Sequence, residues 1–168
     1  LPPGTLVYTG NISQETTFDL FSYDSTLVER TETDKVSEII AKIDKNRNNW
    51  INVNGLNNTG LIEKLGSHHT LHPLILEDVL NTESVPKIEN YGDVLFICLK
   101  MLDWDNDTKS IHVEQISLIV GENYLLSFQE KESNLFNPVR DRLLNGLSKA
   151  KEKRVDFLAY ILIDKIVD

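Results

Sequence analysis

His72-Pro73-Leu74-Ile75-Leu76-Glu77-Asp78-Val79-Leu80-Asn81, continuing to Pro86-Lys87-Ile88-Glu89-Asn90-Tyr91, is the stretch around which the rest of the chain can be read. Pro73 suits a first helical position, and Asn81 suits the residue just past a helix end. The short helix between them has Leu74, Ile75, Leu76, Val79 and Leu80 to bury. Glu77 and Asp78 then fall in its last turn, beside the negative end of the helix dipole, where each acid costs about 0.3–1 kcal/mol unless a cation offsets it. Two offsets are open: a basic side chain, with Lys87 the nearest in sequence, or a divalent metal. Which of the two acids points outward is not fixed, because adjacent helical residues diverge by about 100°.

Working outward towards the N-terminus, Leu61, Ile62 and Leu65 predict a brief helix capped by Asn58 or Thr59 and stopped at Gly66. Trp50–Asn54 reads as a short strand. Val36, Ile39, Ile40 and Ile43 keep i, i+3, i+4, i+7 spacing, so a helix with Thr33 or Asp34 as its cap is expected there. Thr5–Thr9 and Thr17–Tyr23 are β-prone and are expected to pair as a hairpin, after the breaker-rich lead-in Leu1-Pro2-Pro3-Gly4. Asp24 and Ser25 offer a cap for a short irregular or helical turn. The first half therefore alternates strands and helices as an α/β layer does.

Towards the C-terminus, the apolar run from Val94 to Leu102 suits a strand covered on both faces. Ile111–Val120 and Tyr124–Phe128 follow through tight turns, so these three strands should be antiparallel neighbours. Asn137-Pro138 opens a helix with Val139, Leu143 and Leu147 on one side, and a basic connector, Lys149–Arg154, precedes a last helix. Val155, Leu158, Ala159, Leu162 and Ile166 hold the helical period up to Asp168 with no terminating Gly, Asn or Pro. The expectation is a piece of a longer protein in which this helix continues.

Composition narrows the function classes. At 168 residues the chain fits one domain with a real core. Its formal net charge of −9 argues against a nucleic-acid partner, which needs a basic face. The single Cys98 lies in an apolar run, which excludes an internal disulfide and fits a buried reduced thiol. Asn-x-Ser/Thr triplets at Asn11, Asn57 and Asn106 read as incidental. No apolar stretch reaches the roughly 20 residues of a membrane span.

Asp103, Asp105 and Asp107 resemble the opening of a calcium loop, but Thr108 stands where Gly is needed and the closing acid is misplaced. His68, His69 and His72 lack the Cys or HExxH partners of a closed zinc site and are read as loop histidines. No nucleophile elbow, phosphate loop or dinucleotide turn is present, so an enzyme is not expected. What remains is carboxylate: Asp164 and Asp168 share a face of the last helix at i, i+4, where like charges repel. With Glu77 and Asp78 they form a set of hard oxygen ligands suited to magnesium or calcium rather than zinc or copper.

His72-Pro-Leu-x-x-x-Glu77-Asp78, Pro86-Lys-x-Glu89-x-Tyr91, Glu114-Gln115-x-Ser117-Leu118-Ile119 and Phe128-Gln129-Glu130-Lys131, with Leu1–Gly10 and Asp156-x-Leu-x-Tyr160-x-Leu-Ile-Asp164, together resemble the amino-terminal cytoplasmic domain of the CorA family of magnesium and cobalt channels. Val85 departs from the arginine often found before the Pro-Lys pair. The resemblance implies an α/β domain over residues 1–152, with a mixed parallel and antiparallel sheet of six or seven strands between helical layers. Residues 153–168 would begin a long stalk helix leading to membrane spans that lie beyond this chain. It further implies a homopentamer at the cell membrane with this part cytoplasmic. Mg2+ or Co2+ would be both the transported ion and the regulatory ligand, bound between neighbouring subunits in the closed state. On that resemblance Asp78 is the principal metal ligand, with Glu77 and Asp164 supporting an adjoining site. A further acid from the distal stalk is absent here, so a site built from this chain alone should be incomplete. The rival expectations are a zinc transporter domain of the same superfamily and an acidic protein-interaction module without metal.

Overall fold

The computed structural model describes Pro2, residues 5–146 and residues 149–168. Seven strands and five α-helices follow in the order β1 (Thr17–Tyr23), β2 (Val28–Thr33), α1 (Val36–Lys42), β3 (Asn48–Asn54), α2 (Thr59–His68), α3 (Pro73–Leu80), β4 (Lys87–Asn90), β5 (Leu95–Asp105), β6 (Ser110–Val120), β7 (Tyr124–Gln129), α4 (Asn137–Leu144) and α5 (Val155–Val167), with a 3-10 turn at Lys149–Glu152 before α5. The strands form one mixed sheet, β2-β1-β3-β7-β6-β5-β4. All neighbours are antiparallel except β3 and β7, which run parallel. The expected α/β class, with a mixed sheet between helical layers, is what the chain adopts.

Successive strand residues point to opposite faces, and the central strands are apolar on both. Leu20, Ile51, Phe96 and Leu126 face a core closed by Val36 and Ile39 of α1, Ile62 and Leu65 of α2, and Ile75, Val79 and Leu80 of α3. Their neighbours Phe21, Trp50, Ile97 and Leu125 face a second core closed by Val139 and Leu143 of α4 and by Val155, Leu158 and Leu162 of α5. That explains the near-continuous apolar run at the start of β5: both of its faces are covered.

Four sequence expectations need correction. Thr5–Thr9 is not a strand. Leu6 and Tyr8 pack against the first core, and the Thr9 amide donates to Leu80 O at the end of α3. An alternating pattern secures a buried face but does not choose the partner, and both edges of β1 are taken. Its hairpin partner is instead β2, reached through a turn in which Asp24 Oδ1 accepts from the amides of Thr26 and Leu27. The cap expected at Thr33 or Asp34 falls at Lys35, with Thr33 Oγ1 accepting from the Lys35 amide. Finally, α2 runs through Gly66 to His68. A Cβ on Gly66 would lie 2.6 Å from Leu76 Cδ1, so this glycine serves the close approach of α2 and α3 rather than helix termination. Leu147, expected to extend the apolar side of α4, lies outside the described residues.

Candidate metal-binding acids and their cations

α3 forms as its sequence dictates. His72 caps it, with Nδ1 accepting from the Leu74 amide at 3.1 Å, Pro73 opens it, and Asn81 closes it with its amide donating to Glu77 O. Ile75, Leu76, Val79 and Leu80 are buried, which turns Glu77 and Asp78 towards the rim. Both acids are half-buried and line one cleft with Leu74, Asn81, Lys87, Glu89 and Tyr91, walled on the far side by Thr5, Val7 and Thr9. Neither points wholly away, so the choice left open by the 100° spacing is resolved as a shared rim.

The two acids differ in what offsets them. Lys87 Nζ donates to Asp78 Oδ2 at 2.8 Å and sits 2.8 Å from Glu89 Oε1. Tyr91 Oη donates to Glu89 Oε2 at 2.8 Å. Alternation along β4 puts Lys87 and Glu89 on one face, a spacing legible in the sequence but not read there as a relay. The contacts hold the Lys87 ammonium above the ordinary lysine range, chiefly through Asp78 and then Glu89. They also hold the Glu89 carboxyl below its usual range, through Lys87 and then Tyr91. The basic-side-chain offset therefore operates for Asp78. Among the described residues Glu77 has no ion pair.

Asp164 is elsewhere. It lies exposed on α5, the helix on the opposite sheet face from α3, and has no ion pair among the described residues. One chain thus does not bring Glu77, Asp78 and Asp164 together. Among the described residues no group of three or more His, Cys, Asp or Glu side chains is close enough to hold a metal ion.

The histidines expected in a loop are instead the end of a helix and two caps: His68 ends α2, His69 follows as its C-cap and His72 caps α3, while the fourth, His112, lies in β6. His69 Nδ1 donates to Leu65 O at 2.9 Å, its ring lies 4.3 Å from that of Tyr124, and burial pushes its pKa down to about 4. His112 Nε2 is 3.1 Å from Asp105 Oδ2. Asp103 and Asp105 belong to β5, and Asp105 accepts from the Asp107 amide in the turn that follows, so the aspartate triplet is part of a hairpin rather than a calcium loop.

A family model described as "CorA-like Mg2+ transporter protein" matches residues 45–168. Over all 168 residues the chain is 38% identical to the cobalt/magnesium transport protein CorA of Thermotoga maritima, and it spans 48% of that protein's length. The soluble domain of CorA from Methanocaldococcus jannaschii superposes with a TM-score of 0.62 at 17% identity, over 87% of this chain and 55% of that one. The cytoplasmic domain of ZntB from Vibrio parahaemolyticus superposes with a TM-score of 0.61 at 17% identity, over 89% of this chain and 57% of that one. At such identities the two superpositions speak for the fold alone. The family match over residues 45–168, in agreement with the Thermotoga alignment across the whole chain, means that this chain belongs to the CorA-like Mg2+ transporter family.

Proposed function

We propose that this chain is the cytoplasmic, metal-sensing part of a homo-oligomeric divalent-cation channel, a pentamer on the family resemblance. Mg2+ or Co2+ bound between neighbouring subunits would favour the closed state. Asp78 is the principal ligand, and Glu77 with Asp164 supports an adjoining site. Because α3 and α5 lie on opposite faces of the sheet, Asp164 can meet Glu77 and Asp78 only from a neighbouring subunit.

The observation that carries the reading is the state of Asp78: about a quarter exposed, and held by a lysine that has a second carboxylate, Glu89, at the same distance. When a divalent ion takes Asp78, Lys87 keeps Glu89 and no buried cation is stranded. Glu77, which has no ion pair among the described residues and sits beside the negative end of α3, is stabilised by the same ion. An ion of this kind shifts the channel only by its difference in affinity between closed and open states. Oxygen-only ligation fits Mg2+, which keeps several waters and needs only one or two protein carboxylates. Among the described residues no histidine belongs to a cluster of ligand side chains that could hold zinc.

The test is limited proteolysis of the full-length protein in increasing MgCl2. Asp78→Ala with Asp164→Ala should abolish magnesium protection, while protection equal to the parent's would overturn the assignment of these residues. Calorimetric titration of the assembled protein with Mg2+ and Co2+ distinguishes the rival interaction module, for which no heat dependent on Asp78 is expected.

A further inference from the structure

The basic connector Lys149–Arg154 has no part in the metal reading, and in a chain of net charge −9 it brings a cation to a place that folding disfavours. Arg154 is the N-cap residue of α5, beside the positive end of the helix dipole, and its side chain does not cap the helix. That side chain instead lines a cavity of about 700 Å3. His69 and Thr70, just ahead of α3, are in the same wall, so the cavity lies away from Glu77 and Asp78 at the far end of that helix.

Separate segments converge on it. Lys45 comes from the loop between α1 and β3, His69 and Thr70 from the end of α2, and Glu122 and Tyr124 from the passage between β6 and β7. Asn123 Nδ2 donates to Lys45 O at 2.6 Å and Arg154 Nη2 donates to Glu122 O at 2.7 Å, which ties both basic segments to one turn. Arg47, also in the wall, is already paired with Asp24 and Glu29. Lys45 and Arg154 are exposed and have no ion pair among the described residues. Glu122 is the one acid among the described residues of the wall.

Two further features of the wall bear on what it holds. Thr70 sits at φ 54°, in the left-handed region, at the position after the α2 C-cap where glycine is usual. Bonds of 3.0 Å from the Leu71 amide to Gly66 O and from the Thr70 amide to Ser67 O fix it there. A β-branched residue is strained in that region, so a hydroxyl with no hydrogen bond among the described residues is kept at a cost to stability. His69 and Tyr124 bring their rings within 4.3 Å of each other, and burial pushes the His69 pKa down to about 4, which leaves a neutral aromatic surface.

An anion answers the two free cations and the positive end of α5 together, and phosphate suits both guanidinium and ammonium donors. A neutral aromatic surface suits a stacked base. The volume is that of a small-molecule site. We propose that this cavity binds a nucleoside polyphosphate, with Lys45, Arg154 and the Thr70 hydroxyl on its phosphates and the His69–Tyr124 pair against its base. The proposal goes beyond the metal reading and does not depend on it, because none of Glu77, Asp78 and Asp164 lines the cavity.

The experiment is calorimetric titration of the full-length protein with ATP, and separately with sodium tripolyphosphate, in EDTA so that no divalent ion takes part. ATP should give saturable heat, and tripolyphosphate, which lacks the stacked base, should bind about tenfold more weakly. Lys45→Ala with Arg154→Ala should weaken ATP by at least about tenfold. Thr70→Gly relieves the strained backbone, so it should raise the thermal midpoint and still weaken ATP. No saturable heat from ATP overturns the proposal, as does a double variant that binds ATP as the parent does. Equal affinity for tripolyphosphate overturns the nucleoside assignment, and a Thr70→Gly protein that is more stable and unimpaired overturns the part given to Thr70. Protection by MgCl2 in the absence of EDTA is a separate measurement, so the failure of either reading leaves the other standing.

Discussion

Asp19 and Asp78 are both aspartates held by cations, and the two are built for opposite ends. Asp19, on β1, is buried and receives Arg30 through two parallel bonds of 2.9 Å, together with Arg140 of α4 at 2.9 Å. Asp78 has one bond from one lysine, and both partners remain about a quarter exposed. A planar guanidinium is fixed by its fork geometry, whereas an ammonium on a flexible stem exchanges partners readily. The first carboxylate is locked into the second core. The second is left where a competing cation can reach it. Glu114 is a third case: 6% exposed, with Oε1 bonded to nothing in the described chain, and with its pKa pushed up to about 7 chiefly by burial.

The largest effect should come from breaking the locked site. Asp19→Ala leaves the buried Arg140 without its carboxylate and should cost about 3–5 kcal/mol. The urea midpoint measures it, and a loss below about 1 kcal/mol would move Asp19 into the same class as Asp78.

Next is Glu114→Gln. The folded carboxyl titrates at about 7 and the unfolded one near the ordinary glutamate value of 4.5. Between those values the unfolded chain has released its proton while the folded chain keeps it, so this residue makes stability fall as pH rises through the window. The variant should be more stable than the parent by about 2 kcal/mol at pH 8 and indistinguishable from it at pH 4. Thermal midpoints at the two pH values test this, and a constant difference would remove the titration from the account.

Lys87→Ala should cost no more than about 1 kcal/mol, as exposed pairs do. It should lower the MgCl2 concentration that gives half-protection from protease in the full-length protein. A rise in that concentration would mean that Lys87 positions Asp78 for the metal rather than competing with it. The smallest effect is that of Glu77→Gln, which relieves an acid at the negative end of α3 and should stabilise by a few tenths of a kcal/mol at low salt. Chemical denaturation in 20 and 500 mM NaCl would show the gain fading if its origin is electrostatic.

Much of the fold was legible. α3 carries its own start, stop and buried face, so its limits follow from local chemistry, and the double-faced β5 is evident from an apolar run too short to be a buried helix. The two strands that escaped reading are the edges. β2, Val-Glu-Arg-Thr-Glu-Thr, is polar because water covers much of it, and β4 is four residues long. An edge strand needs little apolar character, so its signal is weak. The turn at Asp24, whose side chain accepts from two following amides, was the available clue to β2.

By itself the sequence determined the helix around Glu77 and Asp78, the oxygen-only chemistry of the acids and, through the ordered set of its motifs, the resemblance to the family. Local propensity, capping and charge act within a few residues of one another, and those interactions can be read in line. Only the tertiary structure decided that Lys87 reaches Asp78 while sharing itself with Glu89, that Thr9 pairs with the end of α3 rather than with β1, and that Asp164 lies across the sheet from the other two acids. Each of these depends on which segments the sheet order brings together. That order is set by the collective burial of two cores, a sum over the whole chain that no single stretch contains.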